Sequence, residues 1–114
     1  MSEGPVPAAL RAQCIERDGN RCAKCSGWSA EGMNLHHRQL RSQGGKNTAA
    51  NLISLCGSGT TGCHGWVHAH PAKARDLGFI VPSWADPAEQ PVRTWHGLVL
   101  LTDDPADPMR RLAA

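Results

Sequence analysis

The chain has no tyrosine and a single phenylalanine among 114 residues. Four tryptophans, twelve glycines and eight prolines leave it poor in large core-forming side chains. One domain of this length buries only a modest share of its surface. The composition therefore argues against a fold held by aromatic packing alone and favours a metal crosslink in place of missing burial. No apolar run approaches the ~20 residues of a membrane-spanning helix. The opening Met1-Ser2-Glu3-Gly4-Pro5 does not resemble a signal peptide. Five cysteines are an odd number, so the expectation is reduced thiols in a cytoplasmic setting, where paired cysteines favour metal over disulfide.

A second absence is local. The net charge is +2, but residues 32–75 hold Arg38, Arg41, Lys46, Lys73 and Arg75 and not one Asp or Glu. Five of the six histidines lie in the same stretch, whereas residues 76–114 carry six acidic and three basic side chains. Such asymmetry points to a polyanionic ligand, with those five cations as candidate phosphate contacts. The alternative is that bound metal supplies the positive charge and makes carboxylates superfluous there.

What the chain does have is two interleaved ligand sets. Cys22-Ala23-Lys24-Cys25 is joined by Cys56 and Cys63, and four thiolates make a closed tetrahedral zinc site. The competing reading is buried free thiols, which four positions flanking turns disfavour. Cys14, on the apolar side of the first expected helix, reads as core. His64 and His68 stand at i, i+4 on one helix face and, with His36, can converge on a second ion. His36 and His37 cannot share one task, because neighbouring strand residues point to opposite faces. His70, before Pro71, reads as local packing or a phosphate contact. His96 carries no assignment.

Periodicity predicts an α+β domain. Pro7–Arg17 reads as a helix with Leu10, Cys14 and Ile15 as its apolar stripe, stopped at Asp18-Gly19-Asn20. Met33–His37 and Leu52–Leu55 read as strands, and Arg41–Lys46 as an exposed loop between them. A helix is expected from Thr61 or Gly62 to about His70, and another from Pro71 to Gly78. Phe79–Val81 reads as a strand, and Val92–Trp95 with Leu98–Leu101 as a hairpin about His96-Gly97. The expected organisation is a tail over 1–7, a core domain over 8–78, an extension of it over 79–102 and a loose acidic tail over 103–114.

Leu35-His36-His37-Arg38, Asn51 through Cys56, and Cys63-His64-Gly65-Trp66-Val67-His68 together resemble the HNH endonucleases, in particular the small cysteine-containing proteins of phages and prophages. One departure is the six residues between Cys56 and Cys63, where two are common. The resemblance implies a ββα-metal (His-Me finger) core with an N-terminal helix and a C-terminal hairpin, hydrolysing phosphodiester bonds in double-stranded DNA. It makes His37 the general base, Asn51 the residue that fixes the loop and orients that base, and His36 with His64 and His68 the ligands of a catalytic divalent metal. That metal is Mg, Mn, Ni, Co or Zn, beside a structural Zn on the cysteines. An ordinary imidazole is largely neutral at pH 7, as a base must be. A monomer or weak dimer is expected, without membrane association. The rival class is a zinc-stapled DNA-binding module, or a partner of a phage packaging terminase, with little cleavage of its own. A redox or metal-storage protein would leave the histidine order unexplained.

Overall fold

In the computed structural model, which describes residues 4–28 and 33–112, helix α1 spans Ala8–Arg17. Its Ala, Leu, Gln, Glu and Arg are strong helix formers, and Cys14 is the residue it buries. The stop is as expected: Gly19 and Asn20 both take positive φ, 76° and 57°. Arg17 then ties the helix end down. Its guanidinium grips the buried Asp18 carboxylate at 2.9 and 3.0 Å and donates to the carbonyls of Ala49 and Leu52, while Asp18 accepts from Ser54 N.

Strands β1 (Asn34–His37) and β2 (Leu52–Leu55) pair antiparallel, with His36 opposite Ile53 and His37 opposite Leu52. Every residue of β2 is buried, and the strand is a wall between two apolar clusters. Leu52 faces Cys14, Ala49 and Leu10 beneath α1. Ile53 and Leu55 enter the main core with Val67, Phe79, Val92, Val99 and Leu101. Each such side chain contributes about 1.5–3 kcal/mol on burial. Since facing residues of an antiparallel pair share a side, His36 lies on the main-core side and His37 on the α1 side.

Helices α2 (Gly62–Ala69) and α3 (Pro71–Leu77) follow, α2 packing on β2. Strands β3 (Val92–Thr94), β4 (Gly97–Leu101) and β5 (Met109–Arg111) form a second antiparallel sheet in that order. Among the described residues the fold is thus α+β, with three α-helices and two small sheets.

Four expectations change. Phe79–Val81 is buried but is not a strand, because its backbone bonds one side chain of β1 and the residue after that strand instead of a ladder: Phe79 O meets His36 Nε2, and Val81 N donates to Arg38 O. The hairpin turn is Trp95-His96, since Thr94 pairs with Gly97. The acidic tail is not loose over 103–112: β5 pairs with β4, and Leu112 N donates to Leu98 O. Residues 1–3 and 113–114 of the two expected tails lie outside the described residues, but Val6 packs beneath α1.

The fourth change concerns Arg38, expected on a phosphate-binding face and found at 0% exposure. Its guanidinium donates to the carbonyls of Gly78, Ala50, Pro87 and Gln90 at 2.7–3.1 Å. Burial lowers its pKa to about 10, which leaves it cationic at neutral pH. It clamps the C-terminal half of the chain to β1 and offers nothing to a phosphate. Arg38→Lys should therefore cost about 2–4 kcal/mol, because a single ammonium cannot reach four carbonyls and each buried acceptor left unpaired costs about 1–3 kcal/mol. Thermal melting should show it as a drop of about 10 °C. A variant that melts like wild type would overturn the clamp.

Candidate functional site

The cysteine set converges from three elements: Cys22 and Cys25 from the turn after α1, Cys56 from the end of β2, and Cys63 from the first turn of α2. Their sulfurs lie within 4.8 Å of one another. The Cys25–Cys56 Sγ separation is 3.8 Å, which matches the edge of about 3.8 Å in a tetrahedron with Zn–S near 2.3 Å. Backbone N–H groups of Cys25, Gly27 and Cys63 donate to the sulfurs of Cys22, Cys25 and Cys56. Burial raises the Cys22 and Cys63 thiols, and the Cys22 charge raises Cys63 further. At Cys25 burial is outweighed by the Gly27 N–H and neighbouring thiols, and its pKa is lowered. Four thiolates in this space thus require a cation, which inverts such shifts. These residues can hold a metal such as zinc.

The six-residue spacer between Cys56 and Cys63 leaves that geometry intact. Gly57, at φ 88°, folds back until a Cβ would strike the Thr61 carbonyl, and Ser58 pairs with Thr61 through backbone and hydroxyl. Cys56 O can then accept from His64 N at 3.0 Å, which sets α2 on the end of β2.

That seating brings the histidines together. The ligand nitrogens of His36, His64 and His68 lie within 4.8 Å of one another, and the Nε2 atoms of His64 and His68 are 3.1 Å apart. A cation bound at about 2.0–2.1 Å spaces its nitrogens by about 2.9–3.4 Å, so the pair fits one ion. His36 Nε2 donates to Phe79 O at 2.7 Å, leaving Nδ1 as its lone pair, and His64 Nδ1 donates to Asn34 Oδ1 at 3.2 Å, leaving Nε2. Burial, with the neighbouring imidazoles, lowers His36 to about 3, and burial followed by His68 lowers His64. Both are therefore neutral donors. Three protein ligands leave room for water or substrate, in contrast to the closed cysteine set.

His37 turns to the other side of β1, where its Nε2 meets Asn47 Oδ1 at 2.8 Å. Arg41 Nη2 approaches the same oxygen at 3.4 Å, and Asn47 Nδ2 faces the carbonyls of Gly4 and Pro5. Asn51 is buried, accepting from Gln39 N at 2.7 Å and donating to Gln39 O and Lys46 O. It pins both ends of the 39–46 loop, while the side-chain contact to His37 comes from Asn47. Gly45 completes the loop, because a Cβ there would collide with the Gln39 carbonyl. Asn47, Asn34 and the Phe79 carbonyl were not marked by any spacing in the sequence.

Of the candidate phosphate contacts, Arg41 and Lys46 are exposed on this loop, and Lys73 and Arg75 are exposed on α3. The segment without carboxylates is not free of them in space. Asp86 and Asp103 line the same cleft as Lys46 and Gln39, and Asp103 accepts from Ala50 N. His70 stacks on Trp66 and meets its carbonyl, a local role. No protein-family model, curated protein or solved structure matches the chain. Among the described residues no helix is long and apolar enough to cross a membrane.

Metal analysis of the purified protein should find about one tightly held zinc per chain. Zinc held by such a site is worth roughly 10–16 kcal/mol of apparent free energy, comparable with the whole stability of a domain. Cys22→Ser or Cys63→Ser should unfold it, while Cys14→Ser, which touches no metal, should remain folded. A metal-free protein with an unchanged melting curve would overturn the zinc assignment.

Proposed function

We propose that the chain is a metal-dependent DNA endonuclease and that its β1–β2–α2 unit is a ββα-metal core of HNH type. The observation that carries this reading is the split at His36 and His37. Three imidazoles gather on one side of β1 and α2, while the next residue of β1 presents a fourth on the far side, beside the basic loop. A binding module has no need of that fourth imidazole.

In this reading duplex DNA lies against the 39–46 loop and α3, with Arg41, Lys46, Lys73 and Arg75 contacting phosphates. His37 takes a proton from water, whose oxygen forms a bond to phosphorus in line with the departing 3′ oxygen. The P–O3′ bond breaks and the departing oxygen takes a proton from solvent, leaving a 5′-phosphate and a 3′-hydroxyl. His36, His64 and His68 would hold the divalent ion, whose chemistry is to neutralise charge on the phosphate and the leaving oxygen. An all-imidazole donor set favours Zn, Co, Ni or Mn over Mg. Asn51 keeps the loop, and with it Arg41 and Lys46, in register with β1.

The test is supercoiled plasmid with a series of divalent metals. His37→Ala should lower cleavage by at least ~100-fold, the scale of lost general-base catalysis, with zinc content, melting temperature and DNA affinity retained. His36→Ala or His64→Ala should be partly rescued by higher metal concentration. Equal cutting by wild type and His37→Ala in matched preparations would refute the mechanism. DNA binding without cleavage under any metal would make the protein a zinc-stapled binding module.

The interface has its own readout. Affinity should fall steeply with salt, and replacing Arg41 and Lys46 together by Ala should reduce the log–log slope by about 2. An unchanged slope would move the contact surface to Lys73 and Arg75.

A further inference from the structure

We infer that Asn47 is a positioning residue that fixes the tautomer of His37, and that the Gly4–Pro5 segment is the part of the chain that holds Asn47 in the required orientation. The inference rests on the reading of His37 as a base, but its central observation is geometric. An asparagine side chain can turn either its oxygen or its nitrogen toward a partner, and its hydrogen bonds decide which. Here Nδ2 faces two carbonyl oxygens, Gly4 O at 3.2 Å and Pro5 O at 3.4 Å. A carbonyl can only accept, so the amide nitrogen belongs on that side. Oδ1 is thereby directed to His37 Nε2 at 2.8 Å and to the Arg41 guanidinium at 3.4 Å, which can only donate.

The consequence for His37 follows directly. Facing an acceptor, Nε2 must carry the ring proton, so Nδ1 holds the lone pair. The flipped amide would place the proton on Nδ1 and turn the basic nitrogen into the loop. Pro5 suits its post, because it lacks an N–H that would compete for Oδ1. Asn51 and Asn47 thus divide two tasks: one holds the loop backbone, the other selects which imidazole nitrogen is basic.

The experiment is long-range 1H–15N correlation on the 15N-labelled, zinc-loaded chain, with the His37 signals assigned by comparison with His37→Ala. Wild type should show His37 protonated on Nε2. Asn47→Ala should lose that preference and cut plasmid about 10–100-fold more slowly, the span for removing the partner behind a functional imidazole, with zinc content and melting temperature held. Asn47→Asp keeps an acceptor but has no N–H for the Gly4 and Pro5 carbonyls, so it should recover only part of the tautomer preference and of the rate. A wild-type His37 protonated on Nδ1, an alanine variant with an unchanged tautomer, or an aspartate variant equal to wild type in tautomer and rate would each overturn the inference. Wild-type protein that shows the Nε2–H form, lost in Asn47→Ala, yet cuts nothing would refute the nuclease reading and leave the Asn47–His37 pairing established.

Discussion

A cation buried without a carboxylate partner organises this molecule. Transferring a guanidinium from water to a protein interior is expensive unless its donors are met, and Arg38 meets them with backbone carbonyls drawn from three separate parts of the chain. The requirement runs both ways. Residues 78–90 form little regular structure beyond a single 3-10 turn at Pro87–Glu89, so their carbonyls need a donor as much as Arg38 needs acceptors. Through that exchange the irregular segment lies along β1, where Phe79 O can orient His36. Three consecutive residues thus face three environments: His36 the imidazole cluster, His37 the loop, Arg38 the protein interior.

The two ligand sets are mechanically linked as well as interleaved. Cys63 and His64 are neighbours in the first turn of α2, and His64 N bonds Cys56 O. Displacing the cysteine cluster would therefore tilt the helix that carries His64 and His68. Ala23 N, inside the first cysteine pair, bonds Ser54 O of β2, so the knuckle and the strand pair are also one unit. A closed site that sets the angle of a helix and an open site that uses the angle are separate in chemistry but joined in geometry.

Much of this arrangement was legible in the chain. The CxxC pair with Cys56 and Cys63, and the i, i+4 histidines with His36, indicate two gatherings of ligands, and the fold brings both together. Apolar runs mark β2 and β4, short segments between turn signals mark β1 and β3, and the turn chemistry marks the ends of α1 and α3. The failures share a cause. Arg38 looked like its exposed neighbours Arg41 and Lys46, because local sequence carries no record of which carbonyls a distant segment leaves unpaired. The acidic, proline-containing run before Met109 reads as a loose tail, since β5 exists only by virtue of the edge that β4 offers it. Asn47 was invisible for the same reason: its role depends on two carbonyls more than forty residues away in sequence. The local charge of residues 32–75 was read correctly as composition but not as a surface, because Asp86 and Asp103 return to it from the other end of the chain.

The surroundings of the cysteine knuckle have an optical consequence. Lys24 places its ammonium 4.3 Å from the centre of the Trp66 ring, and Trp95 N bonds Ala23 O while Arg21 lies over the Trp95 ring. Two indoles are therefore tied to the knuckle by its own residues. Trp84, 85% exposed, is a solvent-facing reference within the same chain. With no tyrosine to contribute emission, the fluorescence is that of tryptophan alone, the two indoles at the knuckle adding to the exposed Trp28 and Trp84. The ordering or release of the knuckle should therefore shift the emission of those two indoles, a change that can be followed in real time without a label.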